Sequence, residues 1–127
     1  MPIITFSKVK LLVSEQGKPS ERDASLRLGT DGLQVMDGEK TLQSTPYPDV
    51  IGLFQSHSRE PRWAMPDGTA VSVAKVGGKF GFLKGVPDWI TVRTKDAFIP
   101  LRVQESDRGR VIAELEARTG TKVVRTR

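Results

Sequence analysis

The stretch that most resembles a chemical site is VGGKFGFLKG, residues 76–85, which mixes glycine with lysine and phenylalanine. A loop that grips nucleotide phosphates needs glycine, four residues, a second glycine, lysine, and then serine or threonine. Gly78 and Lys79 satisfy the middle of that pattern, but Phe80 follows the lysine and Val73 stands where the first glycine belongs. The segment is therefore not predicted to bind nucleotide phosphates.

Two interpretations of this glycine-rich segment stay open. In the first, it only connects two strands, with its glycines at bends and Phe80 or Phe82 packed against the rim of the fold. In the second, it is a binding tip, where Lys79 and Lys84 attract anionic groups while a phenylalanine inserts or stacks. Aromatic side chains beside lysines suit a lipid interface or a single-stranded nucleic acid. These four side chains are the first candidate ligand-binding residues.

A second candidate cluster lies upstream, around the sequence REPRW. Arg59, Arg62 and Trp63 fall in one polar loop, and an arginine beside a tryptophan can stack on it and recognise an acidic or planar partner. The more common arrangement is a solvated loop whose tryptophan, Trp63, covers the core. His57 is the only histidine and the chain has no cysteine, so it has no second ligand of either type for a metal. We expect an exposed histidine at a strand end.

Composition limits the classes of function further. The chain has 127 residues, enough for one domain with its own hydrophobic core. A formal net charge of +5 permits weak attraction to nucleic acid or anionic lipid, but the basic residues are scattered. No apolar run approaches the ~20 residues of a membrane-spanning helix. The N-terminus lacks the pattern of a secretory signal, so the expected location is cytoplasmic. The spacing of carboxylates offers no acid–base pair, so we predict no catalytic residue, cofactor or metal.

Short alternating segments separated by turns predict a mainly β fold. Turn sequences such as GTDG and DGE interrupt the alternation, and the prolines in PYPD mark a corner that excludes a helix or a central strand. Gly52 is expected at a bulge or bend. The strands are expected near residues 3–13, 25–28, 33–35, 41–45, 50–56, 70–76, 89–93 and 98–103.

One helix is predicted after the strands. Ser106 has the side chain of an N-cap, and the helix should continue over residues 107–119 until Gly120 stops it. The apolar stripe is narrow and must cover another part of the fold. It consists of Val111, Ile112 and Leu115.

This layout resembles the pleckstrin-homology-like domain of bacterial type. The resemblance is carried by LRLGTDGLQV at residues 26–35, by TPYPDVI at 45–51, and by the closing hairpin and helix. It implies one domain over residues 1–127, with a seven-stranded antiparallel barrel whose open end is capped by the amphipathic helix. The barrel and helix would span 24–119, with an additional N-terminal strand at 3–13, a loop at 14–23, and a tail at 120–127 that pairs with an edge or stays loose.

The resemblance implies a non-catalytic binding module. We expect a protein or peptide partner, or a second copy of the chain, because such barrels have a sheet edge that can accept a strand. The alternative is contact with anionic lipid or nucleic acid through Lys79 to Lys84. Specific phosphoinositide recognition is not expected, because Lys10, Lys18 and Arg22 have the wrong spacing and acidic residues lie among them.

Overall fold

The computed structural model describes residues 2–73 and 86–126. Its strands are β1 (Ile4–Glu15), β2 (Lys18–Leu28), β3 (Gly32–Asp37), β4 (Lys40–Pro46), β5 (Val50–His57), β6 (Arg62–Ala64), β7 (Ala70–Ser72), β8 (Asp88–Thr94), β9 (Phe98–Arg102) and β10 (Val123–Thr126), and its helix is α1 (Glu105–Thr119). Eight strands form one sheet in the order β10-β5-β8-β9-β1-β2-β3-β4, and β6 pairs with β7 in a separate hairpin. The mainly β architecture with one C-terminal helix is confirmed.

The core is assembled from one side of every long strand. Alternate side chains of a strand point to opposite faces, so a curled sheet gathers one set of them inside. A bulge at Lys8, whose φ is 59°, shifts the phase of β1 so that Phe6 and Val9 both face inward. The other strand residues in this cluster are Leu11, Leu26, Leu28, Leu33, Val35, Val50, Leu53, Ile90, Val92, Ile99 and Leu101.

The N-terminal third differs from the prediction. The expected loop over residues 14–23 is wrong, because β1 continues to Glu15 and β2 begins at Lys18, with a tight turn between them. Polar residues in this stretch lie on a sheet face and pair across strands. Lys10 Nζ lies 2.6 Å from Asp23 Oδ1, and Arg22 Nη2 lies 3.0 Å from Asp37 Oδ2.

The N-terminal strand is also more central than expected. β1 lies between β9 and β2, so it joins the two halves of the sheet and does not stand outside the barrel. Of the expected strand over residues 70–76, Ala70–Ser72 forms β7 in the separate hairpin. The large sheet therefore still contains seven antiparallel strands, because β1 belongs to it and β7 does not, and β10 adds an eighth strand in parallel.

Helix α1 covers the core of the curled sheet, as its apolar stripe predicted. Val111 and Leu115 are completely buried in the core cluster, and Ile112 packs against it. The predicted N-cap at Ser106 is wrong. The helix begins at Glu105 with Gln104 as its cap, whose side chain makes no capping hydrogen bond. Gly120 ends the helix in the left-handed conformation, with φ of 72°, as expected for a glycine at this position.

The segment after the helix returns to the sheet. β10 pairs in parallel with β5, with Val123 opposite Leu53 and Arg125 opposite Gln55. The backbone N–H of Val123 also donates to Glu116 Oε2 at 2.8 Å, which links the new strand to the helix that precedes it. Of the two possibilities for the tail, pairing with an edge is the one observed. No helix among the described residues has the length and hydropathy needed to span a membrane.

Candidate functional site

The binding tip predicted from the sequence lies outside the described residues, with all four of its side chains, Lys79, Phe80, Phe82 and Lys84. Their role in binding anionic lipid or nucleic acid stays a prediction. The candidate residues that the structure does describe are Arg59, Arg62 and Trp63, and they lead to the outer face of the strands β5, β8 and β9.

This outer face is formed by the residues that alternate with the core. In β5 it carries Gly52 and Phe54, and their antiparallel partners on β8 are Arg93 and Thr91. Arg93 in turn lies opposite Phe98 of β9. Paired residues of an antiparallel sheet point to the same side, so two aromatic rings and one guanidinium meet outside the barrel.

Trp63 completes this group from the β6–β7 hairpin. Its ring centroid lies 5.6 Å from that of Phe98 with an interplanar angle of 41°, and 6.3 Å from that of Phe54 in an edge-on arrangement. Arg93 Cζ lies 4.5 Å from the centre of the Trp63 ring and 5.7 Å from that of Phe98. We call Phe54, Trp63, Arg93 and Phe98 the aromatic face.

Gly52 makes room for this arrangement. A β-carbon at this position would lie 2.7 Å from Cε2 and 2.9 Å from Cζ of Phe54, because that ring folds back over the glycine along the strand. The register shift between Val50 and Gly52 places the expected bulge here. The glycine thus sets the position of the ring against which Trp63 packs.

We expect Gly52→Ala to lower the free energy of unfolding by about 1–3 kcal/mol, because the Phe54 ring must leave its present position. Urea denaturation measures this loss, and tryptophan fluorescence reports the altered surroundings of Trp63. Gly109→Ala is the matched control. Gly109 lies in α1 with open space around it, so alanine there should stabilise the protein by about 0.5–1 kcal/mol. Equal stability of Gly52→Ala and the wild type would contradict the packing described.

The aromatic face is partly open to solvent. Phe54 is buried, whereas Trp63, Arg93 and Phe98 are each half-buried. Among the described residues, no carboxylate lies within ion-pair distance of Arg93. A guanidinium that stacks on an aromatic ring keeps its N–H groups available at its edge. The face therefore offers flat apolar surface together with an uncompensated positive charge.

Sequence reasoning placed two arginines beside Trp63. Arg59 is exposed in the β5–β6 loop, and Arg62 begins β6, where its backbone N–H donates to Ser56 Oγ at 3.3 Å. The cation observed over the Trp63 ring is Arg93, thirty residues further along the chain. Sequence patterns identified Trp63 as a candidate but not Arg93 as its partner, because the register between strands decides which arginine reaches the ring.

The described residues offer no metal centre. Within residues 2–73 and 86–126, no three His, Asp or Glu side chains converge as metal ligands would. His57 ends β5 and is 66% exposed, as expected, and its Nδ1 lies 2.9 Å from Asp88 Oδ1. The arrangement on the aromatic face is suited to binding by contact.

Comparisons with known proteins decide the fold. No protein-family model matches the sequence, and no curated protein sequence matches it. The structure is similar to a chain in the solved structure of the Spt16D Pob3N heterodimer, with a TM-score of 0.57 and 13% sequence identity over 97% of this chain. The fold is pleckstrin-homology-like. This pleckstrin-homology-like chain spans about half of its structural neighbour, 53% of that chain's length.

Proposed function

We propose that this chain is a non-catalytic protein-binding module whose partner docks on the aromatic face. The observation that carries the proposal is the stack of Arg93 on Trp63, held outside the barrel core and half-exposed. None of the four residues of the aromatic face belongs to the core cluster of the barrel. Tryptophan and arginine are also the side chains most enriched among residues that dominate the energy of protein interfaces.

The chemistry of the face indicates the kind of partner. Trp63 and Phe98 supply rigid apolar area that loses little side-chain entropy on binding. Arg93 supplies a positive charge that the described residues do not neutralise. The matching surface carries an apolar side chain beside an aspartate or glutamate, because a carboxylate can accept two parallel N–H bonds from a guanidinium.

The edge of β5, a strand of the aromatic face, is closed to an added strand. A partner strand cannot add to β5 at the edge that β10 already occupies, because those backbone groups are paired. The edges of the large sheet are β4 and β10. The structural neighbour comes from a heterodimer, which agrees with protein binding as the general role. The bacterial type of the domain and its cytoplasmic location remain predictions from the sequence.

Affinity capture with matched variants tests this function. The wild-type chain and the variants Arg93→Glu and Trp63→Ala are immobilised and exposed to extract of the source cells, and bound proteins are quantified by mass spectrometry. Arg27→Glu is the control, since Arg27 is an exposed arginine on β2, outside the aromatic face. Circular dichroism first establishes that each variant is folded.

The expected result is a protein that binds the wild type and the Arg27→Glu control but loses at least about tenfold in recovery with either face variant, as loss of one interface hot spot would cause. A partner retained equally by all four proteins would contradict docking at this face. Direct binding of the recovered partner, measured with purified proteins, should show the same order of affinities.

A further inference from the structure

A second surface lies at one mouth of the barrel, where three inward-facing rows of side chains change from apolar to polar. In β5, the row that contains Leu53 continues as Gln55 and His57. In β8, the row of Val92 and Ile90 ends at Asp88. In β10, Val123 is followed by Arg125. Because paired residues share a face, these polar ends converge on one cleft.

Helix α1 supplies the remaining wall. Arg108 lies one turn before the buried Val111, and its Nη2 is 3.0 Å from Asp88 Oδ2. The cleft has a volume of about 470 Å³. We call it the mouth cleft, and its charged or hydrogen-bonding side chains are Gln55, His57, Asp88, Arg108, Arg125 and Thr126.

The one carboxylate of the cleft is already engaged on both oxygens. Asp88 Oδ1 is paired with His57 Nδ1, and Asp88 Oδ2 is paired with Arg108. The carboxylate therefore orients both the His57 ring and the Arg108 guanidinium. The hydrogen bond at Nδ1 leaves Nε2 as the imidazole nitrogen that can meet a ligand. Asp88 therefore positions the other groups of the cleft and is not available to bind a cation alone.

The charge balance of the cleft favours an anion. Two guanidiniums face one carboxylate, and the second guanidinium, Arg125, donates through Nε to the neutral Gln55 Oε1 at 3.3 Å. Within the part of the chain that the structure describes, Arg125 has no ion-pair partner. Two arginines together present several N–H donors, which suits an oxyanion with several acceptor oxygens.

We propose that the mouth cleft binds a phosphate monoester, with Arg125 and Arg108 as the guanidinium donors and with His57 lining the cleft beside them. Phosphate oxygens accept the parallel N–H bonds that guanidinium offers. The cleft is larger than a bare phosphate needs, which leaves room for the group that carries it. This site is separate from the aromatic face, because its residues are on the inward side of β5 and β8 and those of the face are on the outward side.

Titration of the full chain with O-phosphoserine, monitored by NMR, tests the proposal. Serine is the uncharged-side-chain control, and inorganic phosphate distinguishes an organic monoester from the free ion. The expected result is saturable change in the His57 ring signals and the Arg108 and Arg125 side-chain signals, with no change for serine. Tighter binding of phosphoserine assigns the organic group, and equal binding assigns phosphate itself as the ligand.

Two variants test whether the mouth cleft is the site of phosphoserine binding. Arg125→Ala should weaken phosphoserine binding by about tenfold or more, as the loss of one charge-assisted contact implies, while Arg27→Ala should bind like the wild type. Arg125 is exposed and donates to the neutral Gln55, so the fold should tolerate its loss. Unchanged binding by Arg125→Ala, absence of binding, or signal changes spread evenly over exposed lysines and arginines would each overturn the proposal.

Discussion

Leu115→Asp is expected to leave the chain unfolded at room temperature. Leu115 has no exposed surface and packs in the core cluster where helix α1 closes the sheet. Truncating such a leucine alone costs about 2–5 kcal/mol, and burying an unpaired carboxylate adds several more. The sum is comparable with the entire stability of a typical domain, about 5–15 kcal/mol. Circular dichroism and one-dimensional NMR should show loss of cooperative melting and of dispersed methyl signals.

Ala113→Asp is the control for that substitution. Ala113 is exposed on the same helix two residues earlier, so the same new carboxylate there meets water. Its stability should stay within about 1 kcal/mol of the wild type, as for most surface substitutions. A cooperative transition for Leu115→Asp at the temperature of the Ala113→Asp control would show that the helix does not close the barrel.

Arg118→Ala should produce the second largest effect, a loss of about 3–5 kcal/mol, because it breaks a buried network and leaves polar groups without partners. The Arg118 side chain is only 2% exposed. It donates to Glu114 at 3.1 Å, to the carbonyl of Gly29 at 3.0 Å, to that of Leu28 at 3.2 Å, and to the carbonyl of Pro2. One side chain thus joins the end of the helix to two other parts of the chain.

The charge on Arg118 persists despite its burial. Desolvation opposes the charge, but Tyr47 and Glu114 favour it more strongly and hold the pKa of Arg118 above its ordinary value. Urea denaturation of Arg118→Ala against Arg110→Ala, an exposed arginine on the same helix, measures the contribution of the buried contacts. Arg118→Lys should recover only part of the lost stability, because the ammonium group of lysine cannot reproduce the planar set of N–H donors of a guanidinium. Equal urea midpoints for Arg118→Ala and Arg110→Ala would show that the buried contacts of Arg118 do not stabilise the fold.

The parts of the fold that sequence patterns predicted are those governed by local rules. Alternation predicted most strands, and the stripe through Val111 and Leu115 predicted the helix and its role in covering the core. Gly120 marked the end of the helix because a left-handed residue is needed there. These features depend on residues close together in the chain, so one sequence is enough to find them.

The parts that were missed depend on distant partners. KPSERD at residues 18–23 has the composition of a loop, but its charges pair across strands with Lys10 and Asp37, and this favours a strand. Ser106 is a good cap by residue type, yet the residue before it, Glu105, already belongs to the helix. Trp63 was identified as a candidate, whereas Arg93 was not, since only the register of β8 against β5 and β9 brings it to the ring.

The mouth cleft shows the same limit. His57, Asp88, Arg108 and Arg125 come from four different elements, and no sequence spacing connects them. The weak signal available was the change from apolar to charged residues at the ends of strands whose alternation was otherwise regular. That signal predicts a polar mouth, but the pairing of Asp88 with both His57 and Arg108 requires the folded chain.

Oxidative footprinting of the chain, alone and with the partner recovered by affinity capture, tests docking at the aromatic face most directly. Trp63 and Phe98 are half-buried and should react in the free chain, while the fully buried Trp89 should be unreactive in both states and serves as the internal reference. We expect oxidation of Trp63 and Phe98 to fall severalfold in the complex. Unchanged oxidation of both residues, with protection elsewhere on the chain, would contradict the proposed docking surface.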